Sequence, residues 1–300
     1  VAKPGVAFDP QKDPIKLVRE GNILRADGTS LGADDGIAVA ISLYLIQQKI
    51  QHGPLRLIFT VDEETNMTGA LSLSADHVKD AKYVINCDSE SIHVICVASA
   101  GSCHMEFTRD LHRCAPKGDT ALTVRAHALA GGHSGEVINE GRGNAIKAVA
   151  DVLYRLSEGG VEYALADYKG GVAANAIPSD ASAVVVVAAK DVDRVKATVV
   201  AAEKDFNLVY GETDPNAVFE VTPAALPKSV LSAEDTTSIV DVINLLHCGV
   251  FAMDRRLPRL PALSASLGTI ETREDVLAFQ YFPRSSSDAR LQALARLIPI

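Results

Sequence analysis

Three short acidic motifs border apolar runs of the chain. The motif Leu-Gly-Ala-Asp-Asp-Gly at residues 31–36 stands just before an apolar run that has the length of a helix. Asp-Glu-Glu at residues 62–64 follows the run at residues 55–61, and Asp-Ser-Glu at residues 88–90 follows the run at 83–86. Both of these runs are short and rich in β-branched and aromatic residues, which predicts strands. Each motif therefore lies at the end of a predicted strand or at the start of a helix.

The carboxyl ends of parallel strands line one crevice, and ligands bind there. Three carboxylate groups in one crevice would repel each other without a cation, and a pair of divalent metal ions would relieve that repulsion and polarise a bound water. Any one of the motifs can equally be a loop or a helix cap, and that interpretation stays open. None of the three motifs contains a histidine, so the residues themselves do not point to zinc.

The chain changes character at about residue 101. Before this point strand and helix signals alternate, including a helix at residues 37–46 that is apolar on most sides, and this predicts an α/β domain with a parallel sheet. After it the pattern predicts a second α/β domain with amphipathic helices and half-buried strands. The predicted elements are helices at 144–156 and 192–206, a helix capped by Ser232, strands at 105–108, 121–130 and 183–188, and a hairpin of 263–270 with 276–282.

Composition excludes several classes of protein. The 300 residues carry a net charge of -9 and no run of Lys or Arg, so nucleic acid is not an expected partner. No apolar stretch is long enough to span a bilayer and no signal peptide precedes Val1, so we expect a cytoplasmic protein without a membrane partner. The five cysteines form no C-x-x-C pair, which argues against a disulfide framework and a cysteine zinc site.

An ordered set of motifs resembles the aminoacyl-histidine dipeptidases (Xaa-His dipeptidases, bacterial peptidase D). These enzymes belong to a family of co-catalytic zinc metallopeptidases that also contains carnosinases, tripeptidases and acetylornithine deacetylase. The matching segments run in order through the whole chain: residues 31–36, 63–70, 86–90, Gly-Gly-His-Ser-Gly at 131–135, Gly-Arg-Gly-Asn-Ala at 141–145, Asn-Ala-Ile-Pro at 175–178, 231–235, Ser-Leu-Gly at 266–268 and Arg-Ser at 284–285. One such motif is weak evidence, whereas the collinear set is highly specific.

The resemblance implies a metal-site role for five residues. Asp34 matches the carboxylate that bridges two zinc ions, and the Asp34–Asp35 peptide matches one that is cis in the family. Glu63 matches the general base that takes a proton from the bridging water. Glu64 and Asp88 match one ligand on each metal.

The resemblance also implies roles in the second half. His133 matches a histidine that steadies the oxyanion, often across a dimer, although a loop histidine fixed by backbone contacts is the plainer interpretation of the residue alone. Asn175 and Arg284 match residues near the substrate, and Arg284 alone could be a surface cation. The implied architecture is a partial catalytic domain at residues 1–104, with a three-layer, mostly parallel sheet. A two-layer α/β lid domain that supports a homodimer follows at residues 105–300.

Departures from the family pattern concern the ends of the chain. The family has a His-x-Asp motif before the segment that begins at Val1, and a segment after the lid that supplies a last histidine ligand. The chain is therefore expected to lack both histidines, to bind zinc poorly and to hydrolyse dipeptides negligibly as it stands. Thr65 and Asn66 also replace the usual Ala-Gly, and Asn139 stands where many relatives carry His.

Three functional hypotheses follow. The first is a zinc dipeptidase for short peptides of the Xaa-His type, in which a water bridging two zinc ions loses a proton to Glu63 and His133 stabilises the oxyanion. The second is a non-catalytic remnant that acts as a dimerising or binding module. The third keeps the fold and changes the reaction to deacylation of N-acyl amino acids.

Overall fold

The computed structural model describes residue 2 and residues 6–63, 67–88 and 93–297. The chain divides into two compact units, Val1–Ala98 and Ser99–Ile300. This division falls a few residues before the boundary at 104 and 105 that the resemblance implies. The catalytic and lid roles of the two units stay predictions.

The first unit contains a hairpin and short helices. Strands β1 (Leu17–Glu20) and β2 (Ile23–Ala26) pair antiparallel, and Gly21 in the turn between them has a φ of 63°. Helix α1 spans Ala33–Gln47, and the single-turn helix α2 spans Thr68–Leu71. A short 3-10 helix, Ala75–His77, follows.

The parallel strands predicted for this unit are not found among the described residues. A strand needs a hydrogen-bonded neighbour, and residues 55–61 and 83–86 pair with no other segment in the part of the chain that the structure describes. Their apolar side chains are consequently exposed, with Val61 at 71% and Ile85 at 81%. The three-layer, mostly parallel sheet is therefore not found among the described residues, whose only sheet in this unit is the β1–β2 pair.

Helix α1 confirms the helix predicted at residues 37–46. An apolar run of this kind predicts a helix that is buried on most of its surface, and that prediction is wrong. Ala38 is its only buried residue, while Ile37 and Ile46 are each 56% exposed. The apolar faces of the helix have no layer packed over them among the described residues. Periodicity identified the helix correctly because the pattern is a local property, whereas burial depends on neighbours.

The second unit is built on one antiparallel sheet of nine strands. Its strands are β3 (Gly101–Ser102), β4 (Met105–Asp110), β6 (Thr120–His127), β8 (Tyr163–Gly170), β10 (Ala181–Val187), β11 (Val218–Ala224), β13 (Gly249–Met253), β14 (Pro261–Arg273) and β15 (Val276–Ser285). They lie in the order β11-β6-β10-β8-β14-β15-β3, with β13 beside β14 and β4 beside β15. The predicted hairpin is confirmed as β14 and β15, paired from Leu263 with Ser285 to Arg273 with Val276. The mixed α/β class is thus confirmed, with an antiparallel central sheet.

Two pairs of short strands and a set of helices complete this unit. Outside the large sheet, β5 (Arg113–Cys114) pairs with β12 (Val230–Leu231), and β7 (Gly132–His133) pairs with β9 (Ala176–Ile177). The helices are α3 (Ala145–Glu158), α4 (Val192–Tyr210), α5 (Ala233–Leu245) and α6 (Asp288–Leu297). Helices α3 and α5 pack together, and α3 also packs against α4 and the sheet. This is the two-layer arrangement that the sequence predicts.

Local sequence explains where the helices start. The Asn144 side chain accepts hydrogen bonds from the amides of Ile146 and Lys147 and so caps α3, and Ser232 caps α5 by accepting from the Asp235 amide. The apolar stripe of α3 is fully buried, with Ile146 and Leu153 both at 0% exposure. Burial of such a stripe is the main source of helix stability in a folded protein.

The five cysteines are all free thiols. Within the residues that the structure describes, no helix combines the length and hydropathy that a membrane-spanning segment needs.

Candidate active site

The first group of candidate residues includes Asp34 and Asp35, which lie in the first turn of α1. The Asp34–Asp35 peptide bond is cis, as predicted. Asp34 and Asp35 both have non-helical backbone dihedrals, and regular helix geometry continues after them. Gly32, which precedes the helix, has a φ of 70° that favours glycine.

The carboxyl groups of Asp34 and Asp88 meet although 54 positions of sequence numbering separate them. A hydrogen bond from Asp34 is the largest cause of the raised pKa of Asp88. Desolvation and the negative charges of Asp34, Glu63 and Asp35 raise that pKa further. In addition, one carboxyl oxygen of Asp35 is buried with no hydrogen-bond partner. The fold thus brings together carboxyl groups from three separate segments, and we call Asp34, Asp35, Glu63 and Asp88 the carboxylate cluster.

Backbone contacts support two members of the carboxylate cluster. The amide of Gly69 donates to the carbonyl of Val61 at 3.1 Å, just before Glu63. A Cβ at Gly69 would lie 2.5 Å from the Val61 nitrogen, so this close approach requires glycine. On the other side, the Asn86 side chain accepts from the Asp88 amide at 2.9 Å.

The carboxylate cluster offers some, but not all, of the ligands that a divalent cation needs among the described residues. Its donors are carboxylate oxygens, which suit hard cations well, whereas zinc prefers nitrogen and sulfur donors. Among the described residues no set of three or more His, Cys, Asp or Glu side chains has the arrangement of a metal site. Glu64, the other predicted ligand, lies outside the described residues. A cation would replace the hydrogen bond between Asp34 and Asp88 and would satisfy the unpaired oxygen of Asp35.

The second group of candidate residues lies in the second unit. His133 belongs to β7, where it pairs with Ala176 of β9. The Ser134 amide donates to the carbonyl of Asn175 at 2.8 Å. Nη2 of Arg284 lies 3.3 Å from Nε2 of His133. The structure therefore brings together His133, Asn175 and Arg284, which are far apart in the sequence.

The Arg284 guanidinium has the environment of an anion-binding group. It lies over the Phe282 ring, 4.7 Å from the ring centroid, and burial lowers its pKa while the Glu136 charge opposes that effect. Glu136 itself is 3.9 Å from Nδ1 of His133. A guanidinium held by an aromatic ring and by a histidine keeps donors that can bind a carboxylate in the bidentate manner.

Sequence reasoning missed one residue near this second group. Asp214 follows α4 and is 1% exposed. It accepts hydrogen bonds from the backbone amides of Ala130, just before the motif at 131–135, and Gly143, within the motif at 141–145. Its surroundings, Glu-Thr-Asp-Pro-Asn at residues 212–216, indicate only a turn. No local pattern could have indicated its partners, because they lie about 70 to 84 positions away.

Comparison with known proteins points to one group of enzymes. No protein-family model matches the chain. The chain is 31% identical over 285 residues to the cytosol non-specific dipeptidase of Escherichia coli (strain K12), and the match takes in 94% of this chain and 58% of that protein. The crystal structure of aminoacylhistidine dipeptidase from Vibrio alginolyticus matches with a TM-score of 0.73 and 28% identity, covering 99% of this chain and 62% of that one. The chain is therefore similar to these dipeptidases, as its motifs predict, and spans less than two thirds of their length.

Proposed function

We propose that this chain carries catalytic and substrate-binding residues of a metal-dependent dipeptidase. The proximity of the Asp34 and Asp88 carboxyl groups, which raises the pKa of Asp88, carries the proposal, because it brings two distant motifs within reach of one cation. The match to a dipeptidase along 94% of the chain supports the same reaction.

In the proposal, Asp34 and Asp88 hold the metal together with Glu64. Two zinc ions, the choice that the resemblance implies, would polarise the peptide carbonyl and acidify a water when bound. The Glu63 carboxylate accepts a proton from the attacking water and passes it to the leaving amine, which is ordinary general acid–base catalysis. Glu63 belongs to the same carboxylate cluster, as its effect on Asp88 indicates.

The second group binds the substrate. His133 donates a hydrogen bond to the oxyanion of the tetrahedral intermediate. Arg284, with its free donors, binds the carboxylate of the dipeptide, and Asn175 lines the same place beside β9. The substrate is a short peptide, and Xaa-His dipeptides are the class to test first. The proposed setting is a cytoplasmic homodimer formed through the second unit.

One observation favours the non-catalytic alternative. The carboxylate cluster offers only oxygen donors among the described residues, whereas catalytic zinc sites normally include histidine. A binding or dimerising module would keep the carboxylates as solvated loop residues and would not turn over peptides.

The test is hydrolysis of a panel of dipeptides, with and without a C-terminal histidine, by the protein made from the full reading frame that contains these 300 residues. We expect zinc-dependent turnover, and Glu63→Gln should lower it by about 100-fold or more with the metal content unchanged. Glu158→Gln, an exposed position at the end of α3, is the matched control and should leave turnover unaffected. Absence of turnover with every dipeptide and divalent metal would favour the non-catalytic alternative, and full activity of Glu63→Gln would remove the role of that residue.

A further inference from the structure

Asp214 is a buried acid that the proposed reaction does not use. It lies in the turn between α4 and β11 and is 1% exposed. Its Oδ1 accepts from the Ala130 amide at 2.8 Å, and its Oδ2 accepts from the Gly143 amide at 2.7 Å. The Thr213 hydroxyl adds a third hydrogen bond to Oδ2 at 3.0 Å. Hydrogen bonds of this kind are what allow a carboxylate to remain buried.

The two backbone amides belong to two different motifs. Ala130 immediately precedes the Gly-Gly-His-Ser-Gly motif, and Gly143 is the central residue of Gly-Arg-Gly-Asn-Ala. Within the first motif, Gly131 and Gly132 have φ values of 60° and 122°, which only glycine adopts readily. Such a backbone has many accessible conformations, so external contacts must select the one that is observed.

Besides the strand pairing of Gly132 with Ile177 and the hydrogen bond from the Leu129 amide to the Ser179 carbonyl, two further contacts hold the His133 segment on its amino-terminal side. One is the bond from Ala130 to Asp214, and another is donated by Nη1 of Arg142 to the Gly131 carbonyl at 2.5 Å. Arg142 is itself next to Gly143, which Asp214 also holds. The carboxylate of Asp214 therefore fixes both the segment that carries His133 and the segment that clamps it.

We infer that Asp214 is a positioning residue that sets the place of the His133 imidazole beside Arg284. The inference rests on the role proposed for His133. A carboxylate is needed because its two oxygens accept from two amides at once. An asparagine of the same shape offers one acceptor oxygen, and its NH2 group would face a backbone N–H donor.

The test compares Asp214→Asn with Asp191→Asn by NMR. Asp191 is also buried, at 6% exposure, but its carboxylate pairs with Arg194 at the start of α4. In Asp214→Asn we expect the Ala130 or Gly143 amide to exchange about tenfold faster or more, because one of them loses its acceptor. We also expect the His133 ring signals to shift. The Asp191→Asn variant should show neither effect.

Unchanged His133 ring signals in folded Asp214→Asn would overturn the inference, even if amide exchange became faster. Should Asp214→Asn fail to fold, Thr213→Val removes a hydroxyl that lies 3.0 Å from Oδ2 of Asp214 and also within hydrogen-bond distance of the Tyr210 and Gly141 carbonyl oxygens. This milder variant should move the same His133 signals by a smaller amount, and no movement would also overturn the inference.

Turnover separates this inference from the proposed function. In an active enzyme, Asp214→Asn should lower kcat about tenfold or more at unchanged KM, because misplacement of a group that acts in the transition state slows the chemical step. A rise in KM alone would contradict it. If the unsubstituted protein hydrolyses no dipeptide, the proposed function fails, and the His133 signals still decide the role of Asp214.

Discussion

In Asp235→Asn, an amide of the same shape replaces a buried carboxyl group that joins the start of α5 to β4. The Asp235 side chain is 1% exposed. Its Oδ1 accepts from Nε and Nη2 of Arg109 at 3.0 and 2.9 Å. Its Oδ2 accepts from the His112 amide at 2.7 Å and from the Ser232 hydroxyl at 3.0 Å. Each of these hydrogen bonds is therefore strongest when the Asp235 carboxyl group is ionised.

The structure sets the expected loss of stability. Hydrogen bonds to a charged group contribute about 1.5–3 kcal/mol each, and the asparagine NH2 would leave at least one donor without an acceptor. The Arg109 side chain is 42% exposed, so solvent weakens the contribution of its hydrogen bonds to the free energy of unfolding. We expect Asp235→Asn to lower the free energy of unfolding by about 3 kcal/mol, which corresponds to about 6–12 °C in the Tm of a unit of this size.

The same carboxyl group makes stability depend on pH. Burial raises the pKa of Asp235, but the hydrogen bonds from His112, Arg109 and Ser232 outweigh burial and lower it from 3.8 to about 2. A pKa that is lower in the folded state gives stability above the unfolded pKa, and that stability is lost as the pH falls. Between pH 4 and pH 2 the unsubstituted chain should lose about 2 kcal/mol through this group, and Asp235→Asn should lack that loss.

The assay is urea unfolding followed by far-UV circular dichroism, since the chain contains no tryptophan. Asp193→Asn is the matched control, because the Asp193 side chain is 97% exposed on α4. Equal unfolding midpoints for Asp235→Asn and Asp193→Asn would refute the reasoning. So would an acid-dependent loss of stability that persists in Asp235→Asn.

Two further substitutions test the second unit. The Lys147 Nζ donates to three carbonyl oxygens at the end of α5 at 2.6–2.7 Å, so Lys147→Met should lower the free energy of unfolding by about 2 kcal/mol, whereas the exposed Lys204→Met should leave the urea midpoint unchanged. A Cβ at Gly135 would lie 3.0 Å from Cε1 of His133 and 3.1 Å from Cζ of Arg284, so Gly135→Ala should displace both side chains. We expect altered His133 NMR signals with a change in stability below about 1 kcal/mol, and unaltered signals would show that the two side chains do not meet there.

Several elements of the second unit follow from local sequence signals. The apolar stripe predicts α3, and Ser232 predicts the start of α5. The hairpin of β14 and β15 is similarly local, and Glu274 in its turn has a φ of 41°. In each of these elements periodicity and capping agree with the tertiary environment.

The first unit differs because strands depend on distant partners. The β-branched run at residues 55–61 has strand propensity, yet propensity forms no ladder without a neighbouring strand. The carboxyl groups of Asp34 and Asp88 lie close together although the strands expected to position them are not found among the described residues. Their role at a metal site stays a prediction. The role of Asp214 could not be predicted from the sequence, because its hydrogen-bond partners are distant in the sequence and the residues around it indicate only a turn.

Metal binding by the carboxylate cluster is the central claim, and calorimetric titration with zinc and manganese tests it most directly. The titration compares the unsubstituted chain with Asp34→Asn, Asp88→Asn and the control Asp76→Asn, an exposed acid of the same unit that pairs with Lys79. In keeping with the poor zinc binding expected from the sequence, we expect weak but saturable binding that Asp34→Asn and Asp88→Asn each weaken by about tenfold or more and that Asp76→Asn leaves unchanged. Unaltered affinity in Asp34→Asn, or no binding by the unsubstituted chain, would contradict the claim.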